Sequence, residues 1–378
     1  MLAGVKEPIS RVFMTADAVG GVWPYTIDLA EGLGAEGIET VLAVLGPAPS
    51  AAQLSALRRL SCVQLIETGL SLDWTARSEA ELRDINAVLA ELAAGCRPDL
   101  VHLHAPALAG FEPFDGPTVA TAHSCVATWW NAVRSGPMPE ELLWRSGATR
   151  RGLESVGQVI AASAGFAAAL RKAYGESFAI AVIPNGRVRS PSLLREKQHL
   201  IFTAGRLWDE GKNIGVLDRA AERIDAPIFA AGPLAGPHGV TAHFDNLKLL
   251  GTLDAAAMAH WLASAPVFAA SARYEPFGLA VLEAAQAGAA LVLSDIPSFR
   301  ELWEGAAIFV DPEDEDAWAV VLQMALDAPA RRRELGAAAE ARSKRYSRQA
   351  MVSATLALYR EVLAAQRLVS PPPLSRAS

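Results

Sequence analysis

Between Tyr274 and Ser294 the chain reads YEPFGLAVLEAAQAGAALVLS, and this short unit restricts the possible folds more than any other stretch. Pro276 ends whatever precedes it, because its ring fixes φ and removes a backbone donor, and Gly278 lets the chain turn tightly into a helix over Leu279 to Ala287. Gly288 is a natural residue to leave that helix on. Ala289 to Leu293 is then an unbroken apolar run, the pattern of a parallel strand covered on both faces. A chain built from such units is α/β.

The same alternation runs through both halves of the sequence. Arg11 to Ala16 reads as a strand, the loop DAVGGV follows, and a helix runs from about Tyr25 to Ala35, with a further strand at Thr40 to Leu45. Helices at Glu79 to Ala94 and Gly165 to Tyr174 are interleaved with strands at Asp99 to His104, Thr118 to Ala122, Val156 to Ala162 and Ile180 to Ile183. Pro184-Asn185-Gly186 is a turn signal, and the polar stretch RVRSPSLLREKQ after it resembles a linker. A second series opens with LIFTAG and runs through strands at Pro227 to Ala231, Asn246 to Gly251 and Pro266 to Ala270 to the unit described first. The 378 residues exceed what one hydrophobic core usually holds. The expectation is two Rossmann-like parallel-sheet domains facing each other across a cleft, the first over residues 1–187 and the second over 188–351, with a disordered tail at 369–378.

Composition excludes several classes. The net charge of −7 gives no global case for nucleic-acid binding. Cys62, Cys96 and Cys125 are odd in number and scattered, which fits a reducing cytosol better than a disulfide framework, and they show no zinc spacing. The N-terminus MLAGVKEPISRVF lacks the apolar core of an export signal, and no window holds the roughly 18 apolar residues of a spanning helix. The expected location is cytoplasmic.

The candidate chemistry lies in loops. The helix opened by Gly278 offers backbone N–H groups at Gly278 and Leu279 and the positive end of its dipole, which suit a phosphate or diphosphate. Glu283, about a turn further in, can accept two hydrogen bonds from a ribose diol, and Glu275 in the loop can meet another part of the same ligand. Two glutamates at this spacing also arise by chance. Gly20 and Gly21 allow close approach to the backbone, although a glycine pair is more often only a turn. His102 and His104 face the same way on a strand, but no third metal ligand is evident at short range, and such histidines more often line a cleft or bond locally. His123 and Ser124 sit in a loop at the carboxyl end of a strand, where ligands of open parallel sheets bind. Cys125 reads as incidental rather than as a nucleophile. The stretch VATWWNAVRSGPMPEELLWR, with Trp129, Trp130, Trp144, Arg134 and Arg145, suits a sugar ring, a lipid acceptor or peripheral contact at the inner face of a membrane, and equally a core with a solvated rim. Asp314, Glu315 and Asp316 read as the acidic first turn of a helix rather than a cation site.

These features occur in a fixed order: GGV after the first strand, His123 after a middle strand, Pro184-Asn185-Gly186 at the domain change, Arg206 and Lys212 after the first strand of the second domain, then EPFGLAVLE. The set resembles the family 4 glycosyltransferases, retaining enzymes of the GT-B fold, over nearly the whole chain. The resemblance implies that Arg206 and Lys212 hold the diphosphate of a nucleotide sugar, with Phe277, Gly278 and Leu279 in the donor loop and helix start. Glu283 would bind the ribose, Leu253 would lie near the base, and Glu275 would hold hydroxyls of the donor sugar. His123 would approach that sugar from the first domain, and Gly20 and Gly21 would leave room at the cleft floor. It further implies transfer without a metal or other cofactor, and a closing helix near residues 352–368 that returns toward the first domain.

The reading is therefore a glycosyltransferase that moves a sugar from a nucleoside-diphosphate sugar to a hydroxyl on a glycan or lipid-linked acceptor, in the assembly of cell-surface polysaccharide or glycolipid. Two alternatives stand beside it. One keeps the fold and makes the protein a nucleotide-sugar epimerase or hydrolase, with Asp17 as the general base; the other is a non-catalytic subunit that only binds a nucleotide sugar.

Overall fold

A computed structural model describes residues 9–189 and 196–369. The first eight residues, part of the stretch read as a linker, and residues 370–378 of the predicted tail lie outside the described residues; Val369 is the last residue of a helix.

Short apolar runs become the central strands, buried on both faces, while the edge strands are partly exposed. The first sheet contains β1 (Arg11–Asp17), β2 (Glu39–Leu45), β3 (Val63–Glu67), β4 (Leu100–Leu103), β5 (Thr118–Ala122), β6 (Gln158–Ala161) and β7 (Ile180–Val182), ordered β3-β2-β1-β4-β5-β6-β7. The second contains β8 (Ile201–Ala204), β9 (Ile228–Ala231), β10 (Lys248–Gly251), β11 (Val267–Ala270), β12 (Ala290–Ser294) and β13 (Ala307–Val310), ordered β10-β9-β8-β11-β12-β13. All of these pairings are parallel. The chain thus forms the two doubly wound α/β domains expected from the alternation. In each, the strand order reverses beside the first strand, at β1/β4 and at β8/β11, and the loops at those carboxyl ends form the crevice where such sheets bind ligands.

The chain crosses between the domains twice, and the crossings are joined. Arg187 pairs with Ser347 in a parallel bridge, with Arg187 N–H donating to the Tyr346 carbonyl at 3.1 Å. Gly186 is required there, since a Cβ would stand 2.2 Å from the Ser347 oxygen. The helix Arg348–Val369 then packs Met351, Val352, Leu356 and Tyr359 into the core of the first domain. It lies so close to the helix Val22–Ala35 that a Cβ on Gly32 would meet Val352 at 2.3 Å.

Candidate active site

The loop after β8 carries the first group of candidates. Asp209 organises it: Oδ1 accepts from Gly211 N–H at 2.9 Å, and Oδ2 accepts from Arg206 at 2.8 Å. Burial pushes the Asp209 carboxyl up, but the charges of Arg206 and Lys212 and a bond from Trp129 outweigh it and hold the group below the usual carboxylate range. The short turn Glu210–Lys212 aims Lys212 at Glu275, with Nζ 2.5 Å from Oε2. The two loops are also tied through their backbones, because Arg273 and Tyr274 N–H groups both donate to the Gly211 carbonyl, at 2.9 and 3.1 Å.

Glu275 leads into the helix Leu279–Gln286. Gly278 stands at its N-cap with φ of 88° and no side-chain cap, so the cap itself leaves the first N–H groups of the helix unsatisfied. Phe277 is buried against Tyr346, and Leu279 faces the first domain, where a Cβ on Gly21 would meet its Cδ1 at 3.3 Å. Gly20 has φ of 75° and open space around it. A small pocket bounded by Thr203, Lys212, Ser271, Glu275 and Gly278 marks the centre of this group. Leu253 lies in the turn after β10 and packs against the same core as Leu279.

Glu283 is engaged by a residue that the sequence reading missed. Arg187, in the domain crossing, donates from Nε to Glu283 Oε1 at 2.9 Å and from Nη1 to Asp28 Oδ2 at 2.5 Å. Burial raises the affinity of both carboxyls for a proton, and Arg187 pulls both back only in part. One guanidinium thus bridges two carboxylates from opposite domains.

His123 follows β5 in the first domain. Its ring lies edge-on to Tyr25 at 4.7 Å and to His104 at 5.2 Å. Burial lowers its pKa to about 4, so the imidazole is neutral at pH 7. The buried atoms Tyr25 Oη, His104 Nε2 and His123 Nε2 have no protein hydrogen-bond partner. Buried polar atoms are normally satisfied, so these three form a polar cluster that its protein neighbours leave unmatched. The sequence marks Tyr25 only as the start of a helix; its place in the first turn after the glycine loop is the one signal of its position beside His123.

Other candidates have local duties. His102 bonds Tyr359 at 2.6 Å and Thr121 at 2.7 Å, using both ring nitrogens. Cys125 lies against Thr128 and Tyr174. Asp314 caps the helix Glu315–Asp327, whose first acids pair with Arg219 and Arg223. Among the described residues no group of three potential ligands is placed to hold a metal ion, and no helix is long and apolar enough to cross a membrane. Asp17, at the end of β1, has its pKa raised to about 7 by burial, with Asp73 raising it further and Arg206 opposing. A larger cavity of about 700 Å³ lies elsewhere, at the amino ends of β5 and β6 beside the closing helix. None of the candidate site residues lines it.

Comparison with known proteins fits this geometry. The model of Glycosyltransferase Family 4 matches residues 19–187, and that of Glycosyl transferases group 1 matches residues 198–327. The chain is 28% identical over 302 residues to a D-inositol 3-phosphate glycosyltransferase of Arthrobacter, covering 70% of each chain. Among solved structures, a sucrose-phosphate synthase from Thermosynechococcus elongatus superposes with a TM-score of 0.77 at 20% identity, over 94% of this chain and all of that one. Anabaena HepE in complex with UDP-glucose superposes with a TM-score of 0.71 at 17% identity, over 95% of this chain and all of that one. These two structures share the two-domain architecture described above.

Proposed function

Because the chain belongs to the family 4 glycosyltransferases, with that family's model on its first half and the glycosyl transferases group 1 model on its second, we propose that it is a retaining transferase moving a sugar from a nucleoside-diphosphate sugar to an acceptor hydroxyl. The observation that carries the reading is the convergence of Lys212 on Glu275 beside the uncapped helix start at Gly278.

Arg206 and Lys212, with the N–H groups at Gly278 and Leu279, form the cradle for the diphosphate and stabilise the charge that grows as it departs. Glu275 holds hydroxyls of the transferred sugar, Glu283 the ribose, and the neutral imidazole of His123 a further sugar hydroxyl. The bond from the anomeric carbon to phosphate oxygen breaks, and the acceptor oxygen bonds to that carbon on the same face. The acceptor's proton passes to the leaving phosphate oxygen. No metal is needed in this scheme, since fixed cations and amides take its part. Anabaena HepE was solved with UDP-glucose, which supports a nucleotide-sugar donor here. The acceptor is a hydroxyl-bearing glycan or a lipid-linked one, as befits a relative of the inositol phosphate glycosyltransferases.

The test is a thermal-shift panel of nucleoside diphosphates and nucleotide sugars, with and without EDTA. A shift for one base that survives chelation supports the scheme, and no shift for any of them sinks it. Asp17 favours a second reading, because a carboxyl titrating at about 7 is poised as a general base. Rapid sugar release or epimerisation without any acceptor would favour that reading over transfer.

A further inference from the structure

We propose that the helix Val126–Val133 of the first domain positions the donor-side groups through the adjacent residues Thr128 and Trp129. Thr128 sets Glu275 through Tyr274, and Trp129 sets Arg206 through Asp209. The inference rests on the donor-site reading above and concerns residues to which that reading gives no role.

Tyr274 belongs to the second domain, yet its side chain lies in the first. Its ring meets Phe166 edge-on at 6.3 Å, and its hydroxyl lies 2.8 Å from Thr128 Oγ1. Thr128 Oγ1 also donates to the Cys125 carbonyl at 3.1 Å, and Cys125 N–H donates to the Tyr274 hydroxyl at 3.4 Å. If Tyr274 Oη–H donates to Thr128, every donor in this closed circuit has an acceptor. Tyr274 immediately precedes Glu275, and Cys125 lies two residues after His123. The circuit therefore fixes the loop bearing Glu275 against the loop bearing His123.

Trp129 does the same for the cations. Its indole N–H donates to Asp209 Oδ1 at 3.1 Å, while Asp209 Oδ2 accepts from Arg206 at 2.8 Å. Its ring packs closely enough that a Cβ on Gly211 would lie 2.8 Å from Nε1. Asp209 is negative and sits beside the cradle for a negative ligand, so its orientation matters. With Trp129 in place the carboxylate is turned onto Arg206 and the Gly211 amide. Without the indole bond it is freer to rotate and repel the diphosphate. The nearby pair Arg134–Glu210, at 2.5 Å, is exposed and adds little to this coupling. Small misplacements suffice, since about 1 Å at the reacting groups can cost on the order of a hundredfold in rate.

The test uses the full chain with Trp129→Phe, which keeps the ring and loses the N–H, and with Thr128→Val, Tyr274→Phe and Thr128→Ser. Calorimetry with UDP, GDP and ADP reads ligand binding, and turnover is read from donor consumption with and without acceptor. Thr128→Val and Tyr274→Phe should each lower kcat by about tenfold or more, with donor KM changing by less than about threefold, whereas Trp129→Phe should lower kcat by about tenfold and also weaken diphosphate binding about tenfold. Thr128→Ser should restore the rate, and Thr128→Val combined with Tyr274→Phe should be no worse than either alone. A role limited to holding the domains together predicts lower Tm with unchanged kcat, and that outcome overturns the inference. If the wild-type protein binds none of the diphosphates, the donor-site reading falls and takes this inference with it. If the wild type binds and the variants turn over as fast as it does, only the inference falls.

Discussion

Lys212 and Glu275 hold each other at 2.5 Å with under a fifth of either side chain exposed, 19% and 18%. A close pair so little exposed is pre-organised, and the donor of the proposed scheme would meet it already formed rather than gather it from solvent. In that scheme Lys212 would keep Glu275 while its remaining N–H bonds meet the diphosphate, because an ammonium has three donors. Replacing Glu275 by Ala should lower kcat by about a hundredfold or more, with a smaller change in donor KM, as expected for a contact with the reacting sugar. Steady-state kinetics at saturating donor checks this. A variant with wild-type kcat would remove Glu275 from the chemistry.

Glu283, by contrast, is assigned in the proposed scheme to the ribose, the part of the donor that does not react. Glu283→Ala should raise donor KM about tenfold with kcat nearly kept. Arg187 has a larger structural duty, because it separates two carboxylates, and the side chains of the group are only 10–23% exposed. Its replacement by Met leaves Asp28 and Glu283 facing each other unpaired, a loss of about 3 kcal/mol. Differential scanning calorimetry should show a fall in Tm of several degrees, and an additional Asp28→Asn change should recover part of it.

What the sequence discloses and what it conceals separate by chain distance. The glycine loop, the EPFG turn and β12 are local signals, set by a proline, glycines with positive φ and an apolar run. Arg187 was unreadable because its partners Asp28 and Glu283 lie 159 and 96 residues away, and a lone arginine after Asn-Gly looks like linker. Trp129 was legible as unusual but not as a partner of Asp209, 80 residues on. The edge strand β3 escaped because VQLIE is half-exposed and too short to show a period. The helix Pro329–Ser343 escaped for a related reason, since RRREL and EARS make it polar on most of its surface.

Gly278 is the position where backbone freedom decides the site. Its φ of 88° is unfavourable for any residue with a side chain, and a Cβ would stand 3.1 Å from both Phe299 and Val281. Gly278→Ala should cost about 1–3 kcal/mol of stability through this strain. It should also weaken nucleoside-diphosphate binding, because relief requires the first turn of the helix to move. Calorimetric titration with the diphosphate identified by the thermal-shift panel reads the second effect, and unchanged affinity would show that the helix start is not part of the cradle.

Asp17 sets a pH dependence whose sign follows from its environment. Burial raises its pKa from 3.8 to about 7, and Asp73 raises it further, while the Val19 amide and Arg206 pull it back. In the unfolded chain the group ionises near pH 4, so between about pH 4 and 7 folding takes up a proton there. The stabilising contribution is fully present below pH 4 and is lost as pH rises through 7. Each tenfold change in proton affinity is worth about 1.36 kcal/mol, and partial exposure of the side chain brings the net effect down to about 2 kcal/mol. Asp17→Asn removes the titration while keeping the shape. The Tm of the wild type relative to that of the variant should therefore fall steadily between pH 4 and 8. Parallel curves across that range would mean that Asp17 is ionised in the native protein at pH 5, and would take away its claim to act as a base near neutrality.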